Sequence, residues 1–398
     1  MKKLLPLTLL VVISIGLSGG LLFGGGAPEQ KEINYLRISW DKLVEAAKKE
    51  AALSFYVWWA KDVWQQVAQD FKARYGIEVT VEQQESDTLV KTILDEKNKV
   101  AEKEKDKKDK LKATGTIDAV LIGRAMARPT VDANVFYGPL IGALPDAKLL
   151  DPKLSRAQGG VETNGYLVPL YRHQMGFLYA PEKVSNPPQT WFELIDWMFA
   201  HPGQLAFADP SQGDSGKAFV QTALVNLCGG IDKYWGDTEV VSSKVANWDE
   251  AWKQLWESRD LIVMTSSKEE SIAKLSKGEV SLIVITENDT EYNLRNGTLP
   301  RNVKFYVPKM GFPGGGDTGG VLKTAPHKAA AILFLAYLTE QETQKKLNEA
   351  LRKSPARMDI TGRESVLSEE DRRKFGVPWM PFPYQNYFTK EFDEKVMQ

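Results

Sequence analysis

Apolar residues along this chain recur with two periods, and the two periods alternate. Over residues 41–52 (DKLVEAAKKEAA), Leu43, Val44, Ala47 and Ala51 share one helical face, with Asp41 placed to cap the first turn. Residues 53–58 (LSFYVW) are β-branched and aromatic, which predicts a buried strand. Residues 60–75 set Val63, Val67 and Phe71 on one face, Gly76 ends that helix, and 77–81 alternates like a second strand. Helix, strand, helix, strand is the grammar of an α/β fold.

The pattern continues to the C-terminal region. Residues 95–112 hold eight lysines and six acids with opposite charges at i,i+4, which predicts a solvated helix rather than a nucleic-acid arm. Residues 116–123 (TIDAVLIG) are near-continuously apolar, as in a strand of a parallel sheet. Two extended stretches, 165–170 and 175–179, are separated by a break at Tyr171-Arg172-His173-Gln174. Pro187-Pro188-Gln189-Thr190 caps a helix over 191–199, and a short strand at 205–208 leads through a Gly/Ser loop to a helix over 217–227. Helices follow at 248–259 and 269–277, then a buried strand at 280–286 and an extended piece at 302–308. A glycine-rich loop at 311–320 precedes helices at 327–339 and 341–352. The tail, 354–398, reads as irregular and aromatic, and its aromatics predict that it packs across the body. There is no internal repeat.

Length and charge narrow the picture. The chain has 398 residues, enough for two or three domains. Its 51 basic and 52 acidic side chains leave a net charge of -1, without the basic excess a nucleic-acid surface needs. One cysteine excludes an internal disulfide framework, and three dispersed histidines (His173, His201, His327) leave little for a metal site. Cys228 reads as a buried small hydrophobe. Lys2 and Lys3 before an uncharged run over 4–26 predict an export leader, here assigned to residues 1–28. Gly20 stands where a lipoprotein signal would carry cysteine, so no lipid anchor is expected. Whether the leader is cleaved or kept as an anchor stays open.

Catalytic signatures are absent. No G-x-S-x-G elbow occurs, and 211–218 (SQGDSGKA) has the wrong spacing for a phosphate loop and lacks its Ser/Thr. No motif calls for a cofactor or metal. Binding is better supported, because three polar stretches sit at strand ends or helix starts, where α/β proteins hold ligands. Trp58 and Trp59 close the first strand and can stack on a sugar or cation. Ser211, Asp214 and Ser215 precede a helix whose free N–H groups suit anions or hydroxyls. Glu287 and Asp289 follow the strand at 280–286 and can receive ammonium or hydroxyl groups. Tyr171 lies in the break between extended stretches, as a hinge strand bordering a cleft would, and Arg124 follows a buried strand and can meet an anion.

The leader, DKLVEAAKKE, a strand ending in VWW, VPLYRHQMGFLYAPEKV, and NPPQTWFELIDWM followed by HPG together resemble extracellular solute-binding proteins of ABC importers. KFYVPKMGF and APHKAAAILFLAYLTEQETQ extend the resemblance, which runs from about residue 41 to 351. HPGQLAFADPSQGDSGKAFVQTAL and NGTLPRNVKFYV are most similar to the thiamine/polyamine-like subgroup. The resemblance implies an α/β, two-lobe periplasmic-binding-protein fold with hinge crossover strands and a ligand cleft between the lobes. The implied lobes are 34–170 plus 309–351, and 171–308, with 352–398 as an extension packed on the body and crossovers near Tyr171 and Val307. It also implies a monomer in the periplasm or on the outer face of the cytoplasmic membrane, working with a membrane ABC permease. Indoles with acids favour an organic cation, polyamine or thiamine-like, as the solute. A sugar or polyol uses the same residue types, and an anion could be served by Arg124, Arg172 and the helix start at Ser215. From another class, a secreted glycan-processing enzyme would also carry tryptophans and carboxylates.

Overall fold

The computed structural model describes residues 33–105, 113–360 and 366–398. The leader therefore lies outside the described residues, as does the 106–112 end of the charged helix. The strands are β1 (Ala52–Val57), β2 (Glu78–Gln83), β3 (Ala119–Ile122), β4 (Ala157–Gln158), β5 (Val161–Glu162), β6 (Val168–Tyr179), β7 (Leu205–Ala208), β8 (Ile262–Thr265), β9 (Leu282–Thr286), β10 (Lys304–Tyr306), β11 (Phe312–Val321), β12 (Ser354–Pro355) and β13 (Gly376–Pro378). Apart from a small β4–β5 hairpin they form one hydrogen-bonded path, β2-β1-β3-β11-β6-β9-β7-β8, with β10 and β12 on β6 and β13 on β11. The pairs β1–β2, β1–β3, β7–β8 and β7–β9 are parallel, whereas β11 and β6 run antiparallel through the middle.

Buried side chains separate into two apolar clusters. The first draws on 43–171 and 321–356, the second on 175–312 and 367–396. In the first, Leu53, Phe55 and Val57 point inward from alternate positions of β1. Phe334 meets Phe55 and Phe71 edge-on at 5.2 and 5.1 Å. The helix Lys328–Leu338 that carries Phe334 is apolar all round and buried from Ala329 onward, as a helix enclosed on every side must be. Its start has no side-chain cap of its own. Glu50 supplies one, accepting from the backbone N–H of Ala329 and Ala330. In the second cluster Phe207 stacks on Phe219 at 4.3 Å, and Tyr234, Trp248 and Tyr384 form an aromatic group in which Trp248 Nε1 donates to Tyr234 Oη at 2.8 Å. Cys228 is buried there.

Several elements differ from the sequence expectation. The break at 171–174 does not exist: β6 runs unbroken through it. Arg172 and Gln174 are buried and bonded internally, so both faces of the strand are covered and the apolar alternation disappears. The glycine-rich loop at 311–320 is likewise strand β11. Thr286 caps a helix, Glu287–Arg295, in place of a loop, and the helix expected from Lys217 begins at Asp214. The tail is substantially helical, at Glu369–Phe375 and Phe382–Phe392, because Tyr384, Phe388 and Phe392 all join the second cluster.

The pairing of β11 with β6 explains the glycines. Gly316 lies opposite Arg172, and a Cβ there would sit 1.8 Å from the Tyr171 carbonyl oxygen. A Cβ on Gly315 would find its nearest neighbours at 3.7 and 4.0 Å, ordinary contact distances. Gly316→Ala is expected to destabilise the protein by ~2–3 kcal/mol, since a clash with backbone cannot be relieved by a rotamer change. Gly315→Ala is expected to change stability by less than ~1 kcal/mol. Chemical denaturation of both variants checks this; equal losses would contradict the close packing of the two strands.

Candidate functional site

The two long strands, β6 and β11, each contribute to both apolar clusters, and a cavity of about 580 Å³ lies beside them. Its walls include Arg172, His173 and Gln174 of β6, Gly314 to Gly316 of β11, Arg124 at the start of the helix Arg124–Asp132, and Arg372 and Trp379 of the tail. Its volume falls within the ~300–1,000 Å³ usual for small-molecule sites.

Two of the wall arginines are committed to structure. Arg172, with a side chain only 3% exposed, donates to Asp151 at 3.1 Å, to both oxygens of Glu369 at 2.9 and 2.6 Å, and to the Pro355 carbonyl. Arg372 makes a two-pronged ion pair with Glu287, which is completely buried. These bonds fasten the tail to strand β6 and to the helix Glu287–Arg295.

Arg124 differs. Its Nη2 donates to Asp214 Oδ1 at 3.1 Å and its guanidinium lies 4.2 Å over the Trp379 ring, yet its buried Nε has no partner among the described residues. Trp379 Nε1 and His173 Nε2 are buried and unpartnered in the same sense. A Cβ on Gly315 would stand 3.7 Å from Trp379 Cδ1 and 4.0 Å from His173 Cε1, so both rings flank one point on the cavity wall.

The electrostatics agree with that arrangement. Burial pushes the His173 imidazole down to about 3, helped by the positive charges of Lys353 and Arg124, and by Arg372, against an opposing pull from Asp214. Burial raises Asp214, but Arg124, followed by His173 and Lys217, outweighs it and holds the carboxyl below its usual range.

Of the residues expected from sequence, Arg124 lines the cavity and Asp214 meets it through the Arg124 ion pair. The others lie elsewhere. Trp58 Nε1 donates to Asp317 at 2.9 Å, Trp59 Nε1 donates to Tyr171 Oη at 2.8 Å, and the Tyr171 hydroxyl donates to Asp317. The three aromatics thus gather around one buried carboxyl, which burial pushes up despite those hydrogen bonds. Ser211 is exposed beside Asp209, and Ser215 is buried, its Oγ accepting from Ala208 N. Glu287 is consumed by Arg372, and Asp289 accepts from Lys268 at 2.7 Å and from Thr286 Oγ1 at 2.7 Å. Both acids hold an internal cation, Glu287 in a buried pair and Asp289 in a partly exposed one. His173 looked like an ordinary histidine in sequence, and nothing local to Trp379 signals that the tail folds back to the cavity.

A family profile described as bacterial extracellular solute-binding protein matches residues 66–368. The chain belongs to that family. This binding protein also shares its fold with solved structures of low identity. One is an extracellular solute-binding protein from Bordetella parapertussis, at TM-score 0.67 and 15% identity over 88% of this chain and 100% of that one. A second is a spermidine/putrescine ABC transporter substrate-binding protein from Streptococcus pneumoniae, at TM-score 0.62 and 15% identity over 87% and 98%. A third is a periplasmic binding protein from Actinobacillus pleuropneumoniae with fructose-6-phosphate bound, at TM-score 0.53 and 15% identity over 87% and 98%. No curated protein matches the chain in sequence. The binding protein therefore has the two-lobe α/β fold of periplasmic binding proteins and is the solute-binding component of an ABC transporter. Among the described residues no helix is long and apolar enough to cross a membrane.

The His173 environment gives a pH prediction. In the unfolded chain an imidazole takes a proton near pH 6.5, whereas the folded one resists to about 3. Its contribution to stability is whole above pH 6.5 and falls as the pH drops toward 3, where the unfolded state binds the extra proton. Imidazole NMR is expected to show His173 neutral at pH 5, and His173→Gln is expected to flatten the stability loss between pH 6 and 4. Titration of His173 near 6.5 would contradict its burial among cations.

Proposed function

We propose that this binding protein captures a small solute in the cavity between its lobes by hinge closure and presents it to a membrane ABC permease. The observation that carries the reading is the Arg124–Asp214 ion pair at the cavity wall. Arg124 opens a helix whose Met126 and Ala127 belong to the first apolar cluster; Asp214 opens a helix whose Ala218 and Phe219 belong to the second. Arg128 adds a second link, donating from Nη2 to the Gly236 carbonyl at 3.1 Å. Contacts of this kind exist only while the lobes are together, so a solute touching both sides shifts the balance toward closure.

The lobes in this reading follow the two clusters, with the tail counted in the second lobe rather than as a separate extension. The hinge lies in β6 between Tyr171 and Met175, and in β11. The protein acts as a monomer in the periplasm or on the outer face of the cytoplasmic membrane. Among solutes, an organic cation loses support because Glu287 and Asp289 are engaged by Arg372 and Lys268. A sugar or polyol loses the two indoles that Asp317 and Tyr171 hold. Against a glycan-processing enzyme, two of the three wall carboxylates, Asp151 and Glu369, accept from Arg172, which leaves Asp232 without a second carboxylate to work with.

Spin labels on Glu45→Cys and Lys253→Cys, exposed positions on the two lobes, report closure by pulsed electron resonance. The native Cys228 is buried, so labelling is confined to the new thiols. The expected result is a shortened inter-lobe distance when one class from a panel of amines, sugars, organic acids and phosphates is added. An unchanged distance distribution with every class would overturn capture by closure.

A further inference from the structure

The partners already held by the wall side chains leave one kind of group unmet. A buried polar atom without a partner is costly, so several at one place call for a complementary group. At this cavity they are Arg124 Nε, Trp379 Nε1 and His173 Nε2, together with two further donors, Trp235 Nε1 and Arg372 Nε, the latter 3.4 Å from Glu369 Oε1. The first two can only donate, and the neutral imidazole donates from Nε2 in one of its tautomers. The acceptors without partners among the described residues, Asn288 Oδ1 and Gln385 Oε1, belong to residues that do not line the cavity. The guanidinium edge formed by Nε and Nη2 matches two oxygens, and Asp214 takes only Nη2. Stacking on Trp379, itself 2% exposed, fixes the plane of that edge.

We infer that the solute is an organic anion whose carboxylate or phosphate oxygens accept from Arg124 Nε and Trp379 Nε1, beside His173 and above Gly315. The inference rests on the capture reading and names the class of molecule captured. A charge-assisted hydrogen bond to Nε lets Arg124 hold Asp214 and the solute together, so the anion becomes part of the link between the lobes. A primary ammonium, which only donates, satisfies neither Arg124 nor Trp379. Gly315 leaves room at the point that Trp379 and His173 flank, and a methyl group there would occupy the position of the oxyanion.

The test is calorimetric titration of the full folded chain at constant ionic strength, which holds screening fixed. The probes are inorganic phosphate, glucose 6-phosphate, succinate and citrate, set against spermidine, thiamine and glucose. Saturable binding of at least one anion, with spermidine, thiamine and glucose silent, is the expected result. The carboxylate and phosphate arms of the panel separate the two sources of the oxyanion. Arg124→Lys keeps the charge but loses the guanidinium edge, and is expected to weaken that anion at least tenfold. Gly315→Ala is expected to do the same without lowering the midpoint of thermal unfolding, which separates loss of the site from loss of the fold. Anion binding unchanged in both variants would overturn the site. Saturation by an amine or by glucose with every anion silent would overturn the anion and leave capture standing, whereas silence from all seven probes would count against both.

Discussion

Strand β6 contributes to both apolar clusters at once. Its first half, through Gln174, pairs with β11 and β12, while Met175 to Tyr179 pairs with β9 and β10. A strand shared in this way cannot slip by one residue without turning two apolar faces out of two cores. Its partner β11 must lie unusually close, which only glycine permits at position 316. The same closeness leaves Gly314 to Gly316 without side chains on the wall of the cavity, so one backbone constraint ties the two clusters together and keeps that wall open.

The C-terminal tail completes that space. Glu369 and Arg372 anchor it through Arg172 and Glu287, Lys153 Nζ donates to the carbonyls of Arg373 and Gly376, and Gln221 donates to the Pro378 carbonyl. These bonds set Trp379 beneath Arg124. Removing one partner of the Arg372–Glu287 pair would strand a buried charge, a far larger cost than the pair's net benefit. The wall charges are therefore mostly spent on architecture. What remains for recognition is the small set of donors around Arg124.

Much of the fold was legible in the sequence because local patterns agreed with tertiary placement. The alternation of β1, the apolar run of β3, the cap at Thr190 and the alanine-rich helix at 328–338 each carry their own signal. The middle of the molecule was less legible. In β6 the buried Arg172 and Gln174 are polar because their partners are brought from Asp151, Glu369 and Phe312, distant in sequence. Trp58 and Trp59 look like a stacking platform by position, yet Asp317, far along the chain, takes the indole N–H of one and, through Tyr171, lies beside the other. Arg124 was identifiable from its place after a buried strand. Trp379 was not, since its role depends on how the tail packs.

A crystal structure of the protein with the tightest-binding anion of the panel tests the account most directly. The account predicts an acid group bonded to Arg124 Nε and Trp379 Nε1 over Gly315, with the Arg124–Asp214 pair intact and the lobes closed on it. Density for the solute against Trp58 and Trp59, with the Arg124 and Trp379 donors untouched, would contradict it.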